Sequence, residues 1–135
     1  MAELVEDLLA VFLAAQRDRP WAPGAVDCCL LLADWAIWLG HQDPAEHLRG
    51  TYSDDAGFEA IIAAAGGVSP LVAACVANIN GLRVQRPLRG SVAVIGSHSN
   101  IKRQWGAIFD GSRWLVRFRD AVEPMVAKPL AIWEI

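Results

Sequence analysis

Residues 21–38, WAPGAVDCCLLLADWAIW, place an Asp and two adjacent cysteines directly after a Pro-Gly turn, at the head of an apolar run. A cysteine in the first turn of a helix sits where unpaired backbone N–H groups gather partial positive charge. That setting favours thiolate and can draw a thiol pKa down from ~8.5 when a cation is also near. Cys28 fits the position. Cys29 points about 100° further round and meets different surroundings. Asp27 opposes thiolate unless its charge is taken up in capping the helix. The competing reading is packing, because cysteine is among the most often buried residue types and LLLADWAIW is core-like. Cys75, inside LVAACVANI, reads as core.

A thiol nucleophile needs a base, and the chain has three histidines. His98 lies in the polar stretch GSHSNIKRQ, and His41 and His47 flank Asp43-Pro44 as surface or capping residues. Gln16 and Gln104 carry amides of the kind that can donate to an oxyanion. Trp21 and Trp105 are expected beside the cleft, where an indole could stack on a sugar or peptide. The other four tryptophans read as core.

The elements that must hold these groups follow from periodicity. Helical spacing runs through 3–17, with Val5, Leu8, Leu9, Phe12 and Leu13 on one stripe. Pro20 and Pro23-Gly24 break it. A second, nearly all-apolar helix is expected from an Asp27 cap to Leu39, closed by Gly40, and should be the buried central one. Asp43 and Pro44 start a short helical turn over 43–50. Helices follow at 53–67, capped by Ser53 or Asp54, and at 69–81, capped by Ser69. Beyond Gly81 the period turns to alternation: LRVQ, SVAVIG, QWGAIFDG, RWLVRF, AVEPMV and PLAIWEI read as strands, with an Asp110-Gly111 hairpin. Helices first and a meandering antiparallel sheet afterwards is an α+β layout.

The 135 residues, 54% hydrophobic and 20% charged, suit one compact domain over 1–135 and exclude disorder. No stretch reaches the eighteen or so uncharged residues of a membrane span. The acidic start MAELVEDLL is unlike a signal peptide, so a cytoplasmic product is expected. Three cysteines make no disulfide framework, and the adjacent pair lacks metal-ligand spacing, so neither metal nor other cofactor is expected. Residues 1–81 carry three arginines against eleven carboxylates, and 82–135 carry nine Lys or Arg against four. Two complementary faces of one fold account for this split, and the competing reading makes the basic half a docking surface for an acidic partner or a polyanion. An acidic whole without a recognised binding motif gives no support to nucleic-acid binding.

Trp21-x-x-Gly24-x-x-Asp27-Cys28 before an apolar helix resembles the start of the NlpC-like cysteine peptidases, papain-type enzymes that cleave peptidoglycan peptides. Gly90-Ser91-Val92-Ala93-Val94 resembles their Gly-Asp strand, and Gln104-Trp105-Gly106-Ala107 their His-Val-Gly-Ile strand. The whole chain resembles more closely a prophage group of that superfamily encoded beside tail-assembly genes. It shares Gly40-x-x-Asp43-Pro44, Leu48-Arg49-Gly50-x-Tyr52, the Asp-Gly hairpin and the Ala131-Ile132-Trp133 tail. The resemblance implies a papain-like fold with Cys28 as nucleophile and Asp27, Trp21 and Trp105 around a substrate cleft. It also marks departures. Gln104 stands at the histidine position and cannot take a proton. The third polar group would fall at Val116 or Arg117, neither of which accepts from an imidazole. Two expectations result. One is a tail-assembly or tail-tip protein without peptidase chemistry, made in the cytoplasm and carried into the virion tail, with phage tail proteins as partners. The other is a hydrolase of peptide or peptidoglycan fragments using Cys28, with His98 as relocated base.

Overall fold

The computed structural model describes residues 7–135. Four helices, α1 Leu8–Gln16, α2 Cys28–Trp38, α3 Asp55–Ala65 and α4 Val68–Ala77, precede six strands. The strands are β1 Leu82–Val84, β2 Val92–Gly96, β3 Gln104–Phe109, β4 Trp114–Arg117, β5 Val122–Met125 and β6 Lys128–Glu134. They form one antiparallel sheet in the order β1-β6-β2-β3-β4-β5, with helices packed on it. The fold is α+β.

The first helix starts at an Asp7 cap, and Leu9 and Phe12 of its apolar stripe are buried while Leu8 is exposed. Val5 and the expected start at residue 3 lie outside the described residues. The central helix is α2, with eight of its eleven residues buried. Each fully buried Leu there contributes roughly 1.5–3 kcal/mol relative to exposure. Asp34, the charge in its middle, is held by Arg19 at 2.7 Å and Arg49 at 2.8 Å, and Arg49 also binds Asp43 at 2.5 Å. That network ties α2 to the chain before it and to the 43–50 turn. Trp35 packs against Phe12 at 5.3 Å and donates its indole N–H to the Gly90 carbonyl at 2.9 Å.

Two expectations about the elements are corrected. The fourth helix begins at Val68 on a Gly67 cap, so Ser69 lies inside its first turn, and it ends at Ala77 rather than 81. The Gly66-Gly67 stop of α3 brings the chain round so sharply that no residue is left to place Ser69 before the helix. The sheet is a meander only from β2 to β5. The last strand, β6, inserts between β1 and β2. Ala131, Ile132 and Trp133 are all buried, so this strand needs a neighbour on each side, whereas exposed Leu82 and Arg83 suit β1 to the edge. The Asp110-Gly111 hairpin forms as a four-residue loop, with Asp110 Oδ1 accepting from the Ser112 and Arg113 N–H groups at 2.8 and 2.7 Å. No single helix among the described residues is long and apolar enough to cross a membrane.

Candidate functional site

Asp27 is fully buried and caps α2. Its Oδ1 accepts from the N–H groups of Cys29 (3.1 Å) and Leu30 (2.9 Å). Its Oδ2 accepts from Gly24 N–H (3.1 Å) and from the Tyr52 hydroxyl (2.6 Å). Four donors therefore satisfy a carboxylate that would otherwise be costly to bury. Burial, with the Asp27 hydrogen bond and charge, pushes the Tyr52 phenol far above its ordinary range, so it remains a donor.

The turn before Asp27 explains the glycine of the opening motif. Gly24 has φ +86°, and a Cβ there would lie 1.9 Å from the Tyr52 carbonyl oxygen. Its own carbonyl accepts from Gly50 N–H at 3.0 Å. The segments 21–27 and 48–52 are thus zipped together, and Tyr52 closes the zip from above Asp27. Tyr52 was not among the expected site residues, although both of the motifs that meet here are visible in the sequence.

Cys28 is the first residue of α2 and 7% exposed. It belongs to an apolar cluster with Tyr52, Phe58, Ala107 and Val116, against which Trp105 packs. Cys29 instead lines a small apolar cavity under α2, together with Cys75. A hydrogen bond to Cys28 and burial, with the nearby Cys28, Asp27 and Cys75 charges adding, hold the Cys29 thiol well above its ordinary pKa. Burial and the Asp43 charge raise that of Cys75 as well.

The sheet meets the helix start at Gly106. A Cβ there would stand 2.8 Å from the Cys28 carbonyl oxygen and 3.0 Å from Leu32 Cδ1. Side chains alternate along a strand, so Gln104 shares the Gly106 face, one pleat nearer the strand's beginning. Its amide Nε2 donates to the Ile101 carbonyl at 3.1 Å. The Ile101 side chain folds back over Gly96, the cross-strand partner of Gln104, where a Cβ would approach it to 2.9 Å. On β4, Val116 is fully buried, and Arg117 donates to backbone carbonyls of Gln16, Arg19 and Arg119. Neither offers an acceptor to a base on β3.

His98 is exposed on the β2–β3 loop, which holds itself together through Ser97, Ser99 and Asn100. Among the described residues no hydrogen bond joins it to Cys28. His47 is exposed and His41 half-buried at the 43–50 turn. Trp105 is half-buried, with the Arg103 guanidinium 5.6 Å from its ring centre. Trp21 lines a separate surface groove among arginines, and buried Gln16 accepts from Arg19 through Oε1 at 3.3 Å. The structure therefore brings Asp27, Cys28 and Trp105 toward one place. His98 stands in solvent, Trp21 lines the arginine groove and the Gln104 amide bonds Ile101. Among the described residues, no three of His, Cys, Asp and Glu cluster to hold a metal ion.

Fold and site define an α+β protein with a thiol at a firmly capped helix start, facing a strand that brings no histidine to it. The chain belongs to the family described as Domain of unknown function (DUF6950), which matches residues 2–135. No curated protein and no solved structure matches it.

Proposed function

We propose that this chain is an NlpC-like, papain-type domain without peptidase chemistry that serves as a binding component in the assembly or tip of a phage tail. The observation that carries the loss of catalysis is the pairing of Gly106 with Gln104. Gly106 admits the first turn of α2, and the residue two before it is where the resemblance to the NlpC-like peptidases puts the histidine that activates the thiol. That residue is an amide bonded to Ile101. An amide does not take a proton at neutral pH, and a cysteine without a base loses its main means of activation. Burial of Cys28 in an apolar cluster supports the same reading. The phage setting rests on the sequence resemblance: Trp21-x-x-Gly24-x-x-Asp27-Cys28, the 40–52 segment and the Ala131-Ile132-Trp133 tail.

The test is genetic and chemical at once. In a phage carrying this gene, deletion should abolish infectious particles, and a Cys28→Ala allele should restore them. The purified protein should leave peptidoglycan stem peptides intact between pH 5 and 9, as read by mass spectrometry. Cleavage that disappears in Cys28→Ala would establish the hydrolase instead. Normal particle yield after deletion would remove the tail role.

A further inference from the structure

The chain after α1 lies beside the β4–β5 connection, and together they form a surface groove of about 410 Å³. Arg17, Arg19, Arg117 and Arg119 line it around Trp21. Two polar atoms of these lining residues are buried with no hydrogen-bond partner, Trp21 Nε1 and Arg117 Nε. Such orphans are rare in native structures and call for a cause, an absent ligand among them. Arg117 is only 3% exposed, and its Nη atoms donate to backbone carbonyls alone. Burial and the neighbouring Arg19 lower its pKa from the ordinary arginine value, against the pull of Asp120. Arginine nonetheless stays protonated, so a cation sits beneath the groove with only backbone carbonyls as hydrogen-bond partners.

We propose that this groove binds the carboxylate of a peptide ligand, held by Arg17, Arg19 and Arg119 over the buried Arg117 and beside the Trp21 indole. Guanidinium forks suit the planar carboxylate. Asp18 and Asp120 also line the groove, and they oppose a dianionic phosphate more strongly than a single carboxylate. Pro20 and the indole ring offer apolar surface to the rest of a peptide. In the free protein Arg19 holds Asp34 and Arg119 holds Asp55. The Arg119 pair is exposed on both sides, the kind that contributes little, so a ligand carboxylate replaces it readily. The inference stands on this groove and does not depend on the tail reading.

The test follows the Trp21 indole N–H by nitrogen-15 NMR of the full chain, with the resonance assigned through Trp21→Phe. Three N-acetylated tripeptides are titrated: one with a free C-terminal carboxylate, one amidated with a glutamate side chain, and one amidated with glutamine. Inorganic phosphate is the fourth probe. A saturable shift with either carboxylate peptide and none with the glutamine peptide is the expected result, and the two carboxylate arms tell a chain terminus from a side chain. Arg119→Ala should weaken binding about tenfold or more, the loss of one charge-assisted hydrogen bond. Because Arg117 variants risk unfolding, the exposed Arg17→Ala and Arg119→Ala carry the test. No saturable shift with either carboxylate peptide, a response to phosphate alone, or unchanged binding in both variants overturns the proposal.

Discussion

The two sides of the Cys28 environment are built to different standards. On the helix side every hydrogen-bonding position around Asp27 is filled, by two N–H groups of α2, one of the Gly24 turn and the Tyr52 hydroxyl. On the strand side Gln104 and His98 turn away from Cys28: one bonds the loop before β3 and the other stands in solvent. On the proposed reading, the half of a thiol site that doubles as architecture is kept and the half that would serve only chemistry is lost. A carboxylate that caps the central helix is needed for folding whether or not Cys28 reacts, whereas nothing in the fold requires a histidine on β3.

The largest expected effect lies on the helix side. Asp27→Ala removes four hydrogen bonds and leaves the Tyr52 hydroxyl and the Gly24 N–H buried without a partner. Urea unfolding should show a loss of about 3 kcal/mol or more. A loss under about 1 kcal/mol would show that the capped start is not the anchor described. Tyr52→Phe, combined with Asp27→Asn in a double-mutant cycle, should report a coupling between the two residues of about 1 kcal/mol.

Next comes the seam between the two sides. Gly106→Ala would press a methyl group against the Cys28 carbonyl and Leu32, forcing α2 away from β3. Overpacking of that kind costs about 1–3 kcal/mol, readable as a lower midpoint in the same unfolding curves. An unchanged midpoint would mean that helix and strand are not in close contact at Cys28.

A smaller effect concerns pH. Partial burial pushes the Asp43 carboxyl up, but hydrogen bonds from Arg49 and the Ala45 N–H outweigh it and hold the pKa below the ordinary value. A depressed carboxylate adds stability above its unfolded pKa of about 4, which is lost as pH falls through the folded value. Asp43→Asn should therefore lower stability at neutral pH, by less than about 1 kcal/mol, and the difference from wild type should shrink progressively as pH falls below about 4. A difference that persists at pH 2 would point to packing rather than charge.

Smallest of all, Gln104→Ala on the strand side should leave stability within about 0.5 kcal/mol of wild type by thermal unfolding, since its amide bonds only a loop carbonyl at the surface. A loss above about 1 kcal/mol would give Gln104 a structural duty and weaken the contrast.

Much of this was legible in the residues. Asp27 as cap, the buried α2, Gly40 as its stop and the hairpin at Asp110 follow from local rules that each need only a few neighbours. The place of β6 was not, because strand order depends on which strands must be covered on both edges, a property of the assembled sheet. Tyr52 stands in a visible motif, but it lies 25 positions from Asp27 and the stretch between carries no periodic signal for a hydrogen bond. The Gln104 substitution could be seen directly, but its bond to Ile101 could not. Trp21 was expected at the cleft because it precedes the Cys28 turn. The structure places it in the lining of the arginine groove, a surface that only the folded chain assembles from residues 17–21 and 117–120.

The central claim, that Cys28 has no base, is tested most directly by alkylating the native protein from pH 5 to 10 and reading each of the three thiols by mass spectrometry, in wild type and His98→Ala. Cys28 should be slow below pH 7, Cys29 slower still because its pKa is raised, and His98→Ala should leave every profile unchanged. Fast reaction of Cys28 alone below pH 7, slowed by His98→Ala, would contradict it and make the helix start an active nucleophile.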